Sequence, residues 1–224
     1  MDKKLVLRTA YLTLTAVILN YALKVTFMIP SHIPSVLAYP SGHMQFSVAL
    51  YGYLITQIKK LLGQAIMIVI LFGIASSLVH FNYHNYFDVV GSIFFATLLI
   101  VGYIALSNSN QQARLPFLML LISTLLVFYI AVVYDVAFHV WRSYYGLLGL
   151  VVAEHYFGAK IEAQYKAKIM ATLSCFMVLF VTQKIFTQMV MLPIFLSQMQ
   201  WIIVSAFLPF ALHQSAKLEK RFLS

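Results

Sequence analysis

Eight long apolar runs constrain this chain more than any other feature, most of them near the ~20 residues that a helix needs to cross a hydrocarbon core. They read at about 5–23, 44–58, 65–80, 87–107, 115–134, 143–158, 168–183 and 187–212. The second and sixth are short and are expected to extend into flanking sequence. The last is long and carries Pro193 and Pro209, so a kink is expected there. Only 9% of the residues are charged, against roughly 25% in a soluble domain, too few to cover a water-facing surface. Within lipid the backbone must satisfy its own hydrogen bonds, and the alternating pattern of a membrane barrel is absent. The fold class is therefore all-α, a polytopic transmembrane helical bundle of about eight spans. No linker, low-complexity tract or close repeat divides it, so residues 1–224 are expected to form a single integral membrane domain. The opening Met1-Asp2-Lys3-Lys4 is followed by no clear small-residue cleavage site and reads as a retained signal anchor.

The net charge of +9 does not make a nucleic-acid surface, because Lys and Arg fall in short clusters between the apolar runs. With a cytoplasmic N-terminus, the inner side holds Lys3, Lys4, Arg8, Lys59, Lys60, Arg114, Lys160, Lys166, Lys168, Lys217, Lys220 and Arg221. Of the 15 cations only Lys24, Arg142 and Lys184 are left outside, as the positive-inside rule requires. A bacterial inner membrane with both termini cytoplasmic is the expected location. The same alternation gathers His32, His43, His80, His84, His139, Asp88 and Asp135 at the outer face. Cys175 is the single cysteine, which excludes a disulfide framework and a thiolate metal site.

Two outer segments carry groups suited to chemistry. Tyr39-Pro40-Ser41-Gly42-His43 opens the second span. A turn feeding a helix leaves backbone N–H groups unpaired at the positive end of the helix dipole, a seat for an anion. Ser41 can add a hydroxyl, Gly42 allows close approach, and His43 can deliver a proton to a leaving oxygen. The second segment runs from Ser77 to Asp88, between the third and fourth spans. His84 and Asp88 are four apart and on a helix would share a face. A carboxylate on one imidazole nitrogen fixes the tautomer and frees the other nitrogen to attack.

Pro40-Ser41-Gly42-His43, followed one hairpin later by His84-x3-Asp88, resembles the type 2 phosphatidic acid phosphatase superfamily of membrane lipid phosphatases. Ser77, His84 and Asp88 are similar in spacing to that family's third motif, and Lys24 to the lysine of its first. The resemblance covers roughly residues 15–105, with 108–224 as additional transmembrane helices. It implies that His84 forms a phosphohistidine, Asp88 orients it and His43 protonates the leaving group. It further implies that Lys24, Ser41, Gly42 and Ser77 hold the phosphoryl oxygens of a lipid phosphate or diphosphate, with no cofactor and no metal. Two positions depart from the pattern. Ser31-His32 stands where the first motif has Arg-Pro, and Leu78 where the third has Arg. Arg142, or a protonated His32 or His80, is the candidate substitute for the lost guanidiniums.

Plainer readings stand beside these. Pro40-Ser41-Gly42 alone makes a turn and a helix cap, and Asp88 can cap the fourth helix. Lys24 can snorkel to the interface, and Arg142 beside Trp141 fits an interfacial anchor. His32, His80, His84 and Asp88 are zinc-competent by ligand type, though no metal motif surrounds them. Glu154 inside the sixth run would suit a transporter, but matching helix breaks in two halves are missing. The leading expectation is a lipid phosphatase-like enzyme facing outward. The alternative is a degenerate relative that binds lipid phosphates or scaffolds a membrane complex.

Overall fold

The apolar runs are occupied by helices in the computed structural model, which describes residues 3–31, 37–109, 112–157, 165–188 and 193–223. The rods form two compact units, 1–136 and 137–224. In the first unit, α1 (Lys3–Phe27) is followed by a rod built from α2 (Gly42–Ser47), a π-helical turn (Val48–Gly52) and α3 (Tyr53–Gln57). Then come α4 (Leu61–His80), α5 (Tyr86–Ser107) and α6 (Leu115–Val133). The second unit holds α7 (Phe138–Phe157), α8 (Tyr165–Gln188), α9 (Ile194–Gln198) and α10 (Gln200–Leu223). The last run breaks at Met199, between the two prolines expected to kink it, and Pro209 lies inside α10.

Among the described residues six helices are long and apolar enough to cross a membrane, so the chain is an integral membrane protein. The two runs outside that set have physical reasons. The rod from Gly42 to Gln57 joins pieces of six, five and five residues, about 24 Å at 1.5 Å per residue, short of a ~30 Å core. In α7, Arg142, Glu154 and two histidines dilute the apolar content.

The first unit is organised around α1, which packs against α6, against α2 with its π-turn, and against α5. Lipid offers no hydrophobic drive between helices, so close packing of small residues and internal hydrogen bonds must hold them. The sequence supplies both. Ala16, Ala49 and Ala96 are fully buried, and Thr15 faces Ser123 of α6 at 3.4 Å between hydroxyl oxygens. Thr9 and Thr13 turn their hydroxyls back onto the Leu5 and Thr9 carbonyls, so neither of these two donors is stranded in apolar surroundings. By contrast α4 buries only Leu78; Leu61, Ile66, Val69 and Phe72 face outward as lipid-contacting side chains. In the second unit α10 packs on α7 and α8, and Gly149 lets the Ser205 and Ile202 region approach the α7 backbone.

One close approach matters for the site. The Tyr39 ring lies directly on Gly91 of α5, where any Cβ would overlap it. Phe27 and Phe95 complete this aromatic corner, with centroids 5.1 Å apart for Phe27–Tyr39 and 6.4 Å for Tyr39–Phe95. Gly91→Ala is expected to displace the ring and the turn that follows it. A fall in Tm on the order of 5 °C, read on detergent-purified protein, corresponds to an overpacking cost of about 1–3 kcal/mol.

Candidate active site

The reversal between α4 and α5 positions His84. Asn82 adopts the left-handed region at φ 57°, which asparagine tolerates. The chain then folds back so that the His84 amide donates to the Leu78 carbonyl at 3.1 Å. Asn85 caps α5: its side chain accepts from the Asp88 amide at 2.9 Å, and the Asp88 carboxylate accepts from the Asn85 amide at 3.1 Å. His84 therefore precedes the helix and does not share a helical face with Asp88. The cap geometry brings them together all the same, with Nδ1 of His84 3.2 Å from Oδ2 of Asp88. The capping role and the orienting role fall on one carboxylate oxygen.

A carboxylate only accepts, so Nδ1 of His84 carries the proton and Nε2 keeps its lone pair. Burial holds the His84 pKa below the ordinary 6.5. The Asp88 hydrogen bond and charge oppose that shift, while the charges of Lys24 and His43 reinforce it. The imidazole is thus neutral at neutral pH, with Nε2 unprotonated.

The other segment is tied to this one through the backbone. The Ser41 amide donates to the Asp88 carbonyl at 3.1 Å. The Ser92 hydroxyl lies within reach of both the Ser41 carbonyl, at 2.8 Å, and the Asp88 carbonyl, at 2.6 Å. Ser41 is fully buried and caps α2 by accepting from Met44 N at 3.4 Å. The Ser41 carbonyl takes the Gln45 amide. With Ser41, Met44 and Gln45 amides so committed, those of Gly42 and His43 have no protein partner among the described residues. His43 itself is exposed. Lys24, near the end of α1, donates to the Leu37 carbonyl and, at 3.0 Å, to that of Ala38, and the Asp88 charge acts on it.

Lys24, His43, His84 and Asp88, four of the expected site residues, thus form one electrostatically coupled cluster beside Ser41 and Gly42. The remaining candidates stand differently. Ser77 is exposed on α4 and gives its hydroxyl proton to the Gly73 carbonyl at 2.8 Å. His80 ends α4, exposed, with its ring edge-on to Phe81 at 5.0 Å. Since α4 stops there, the His80–His84 spacing is not helical, and no metal-competent group of three stands among the described residues. Arg142 lies in the second unit, its guanidinium 4.9 Å from the Trp201 ring and 5.3 Å from Phe138. His32 lies outside the described residues.

Sequence reasoning passed over Asn20 and Gln45, although a carboxamide inside an apolar run is itself a signal. Asn20 Nδ2 donates to the Pro40 carbonyl at 3.1 Å and to Gln45 Oε1 at 2.9 Å, and both side chains are buried. The Asn20 oxygen also backs Gly42, where a Cβ would sit 3.1 Å away. The pair fixes the Pro-Ser-Gly turn to α1. Asn20→Leu strands the Pro40 carbonyl and the Gln45 oxygen, a cost of about 1–3 kcal/mol. It is expected to lower Tm and, by shifting the turn, to cut turnover by roughly tenfold or more in a phosphate-release assay.

Residues 27–112 match the family model described as the PAP2 superfamily. No curated protein and no solved structure matches the chain. The matched segment holds the Pro-Ser-Gly-His turn, the α4–α5 reversal and the His84–Asp88 pair, and over that segment the chain is similar to the PAP2 superfamily.

Proposed function

We propose that this protein is a membrane phosphoryl-transfer enzyme of the lipid phosphatase type, working on a lipid phosphate or diphosphate through a phosphohistidine. The observation that carries this reading is the His84 Nδ1–Asp88 Oδ2 hydrogen bond, joined to the Pro-Ser-Gly-His turn by the Ser41–Asp88 backbone bond. Nε2 of His84 attacks phosphorus while His43 protonates the departing oxygen. Asp88 holds the imidazole tautomer and stabilises its charge as the P–N bond forms. Lys24 and the Gly42 and His43 amides receive the phosphoryl oxygens. Water, deprotonated by His43, then cleaves the intermediate.

The distribution of Lys and Arg supports an outward-facing site in a bacterial inner membrane with cytoplasmic termini. The test is a screen of purified protein against phosphatidic acid, phosphatidylglycerol phosphate, polyprenyl diphosphate, a phosphorylated glycolipid and a phospholipid diester. Mass spectrometry would search for phosphate on His84. Silence across the whole panel, with no adduct, removes the enzymatic reading.

A second reading has one observation in its favour. Leu78 takes the one buried position of α4, where the superfamily pattern has Arg, so a guanidinium is replaced by an apolar side chain. A protein that binds lipid phosphate without turnover fits that loss. If Leu78→Arg with Ser31→Arg is active and the natural chain is inert, this second reading stands.

A further inference from the structure

The charge at this site is small, and the fold fixes it so. Within the unit 1–136, Lys24 is the one Lys or Arg at the His84 end. Lys59 and Lys60 precede α4, and its 20 residues, about 30 Å, separate them from His80. Arg8 lies about 24 Å down α1 from Lys24 and is hydrogen-bonded to Tyr53. Arg114 immediately precedes α6, at the far end of α5 from Asp88. Lys24 has given two of its three donors to the Leu37 and Ala38 carbonyls.

The sum at the moment of attack follows from roles already assigned. His84 is neutral as nucleophile, His43 is positive as acid, Lys24 is positive and Asp88 negative. Among these four described groups the surplus is a single positive charge. Leu78, whose carbonyl accepts from the His84 amide, is buried and brings no charged side chain. A dianionic phosphoryl group would leave one negative charge uncompensated in a half-buried, low-dielectric site, where that imbalance is most costly. A monoanion is matched.

From this we infer that the phosphoryl group taken by the site carries one negative charge: a membrane phosphodiester, in preference to a phosphomonoester or a terminal diphosphate. The inference rests on the phosphohistidine reading and narrows its substrate class. His84 Nε2 forms the P–N bond as the P–O bond to diacylglycerol breaks, and His43 gives its proton to that oxygen. Water, or the hydroxyl of a second lipid, then attacks phosphorus and returns its proton to His43 as the P–N bond breaks. Diacylglycerol and a phosphomonoester, or a new phosphodiester, are released.

Phosphatidic acid and phosphatidylmethanol with identical acyl chains differ by one methyl group and one charge, so they isolate the effect. With the full-length protein in detergent micelles at pH 7, kcat/KM for phosphatidylmethanol is expected to exceed that for phosphatidic acid by about tenfold or more. The gap should narrow as pH falls and phosphatidic acid takes up its second proton. Leu78→Arg should also narrow it by roughly tenfold; Ser31→Arg, at a part-exposed position, makes the same test if the buried arginine prevents folding. Phosphatidic acid turned over equally well or better, through an intact His84 adduct, overturns the charge inference and leaves the phosphohistidine reading standing. Neither lipid consumed and no adduct found removes both.

Discussion

His84→Ala is expected to lower turnover by at least about three orders of magnitude and to erase the phosphohistidine signal. The size of the effect follows from the lack of a replacement. In the proposed reaction attack needs a lone pair, and Nε2 of His84 is the one that the Asp88 hydrogen bond makes available. His43 is assigned to protonate the leaving oxygen and cannot do both. The fold should survive the change. The bond from the residue 84 amide to the Leu78 carbonyl is a backbone contact, and the Asn85–Asp88 capping box does not use the imidazole. Circular dichroism and Tm close to wild type, with activity gone, is therefore the expected combination. Activity retained at even a tenth of wild type would mean that phosphoryl transfer does not pass through this ring.

The architecture was legible in the apolar runs because lipid removes the alternatives: a segment of that length and composition has to be helical. The Gly42–Gln57 rod shows where run length misleads. Its apolar residues face buried neighbours on α1 and α5, so it reads as a span although it is only about 24 Å long. The site was legible in part. His84-x3-Asp88 spacing pointed to two side chains that do meet, by a geometry that the chain does not use. Asn85, three residues before Asp88, was the available sign that the helix starts between them. The meeting of the two segments was beyond sequence reasoning. It depends on Ser41 N reaching Asp88 O and on Ser92 bridging two carbonyls, contacts in which no side-chain pattern announces a partner. Asn20 lay in plain view inside the first run, but its partner, the Pro40 carbonyl, follows only from how α1 packs on α2.

Asp88→Asn separates orientation from attack, and its sign can be worked out before the measurement. In the wild type, burial depresses the His84 pKa while the Asp88 carboxylate pulls it part of the way back. Removing that charge leaves burial and the Lys24 and His43 charges acting together, so the pKa falls further. The acid limb of the rate profile, where protonation silences the nucleophile, should move to lower pH. The rate on the plateau should drop by roughly 10²- to 10⁴-fold, because an asparagine amide can donate to Nδ1 and trap the proton on Nε2. Stability follows the same linkage. A histidine whose folded pKa lies below its unfolded 6.5 contributes stability that is complete above 6.5 and is lost as pH falls through the folded value. The variant should lose stability over a wider acid range; because one Asp88 oxygen serves both Nδ1 and the Asn85 amide, an amide nitrogen turned to Nδ1 also gives up that cap bond. A limb that stays in place or moves upward, with the plateau lowered, would mean that Asp88 acts on this site through the helix cap and not through the imidazole.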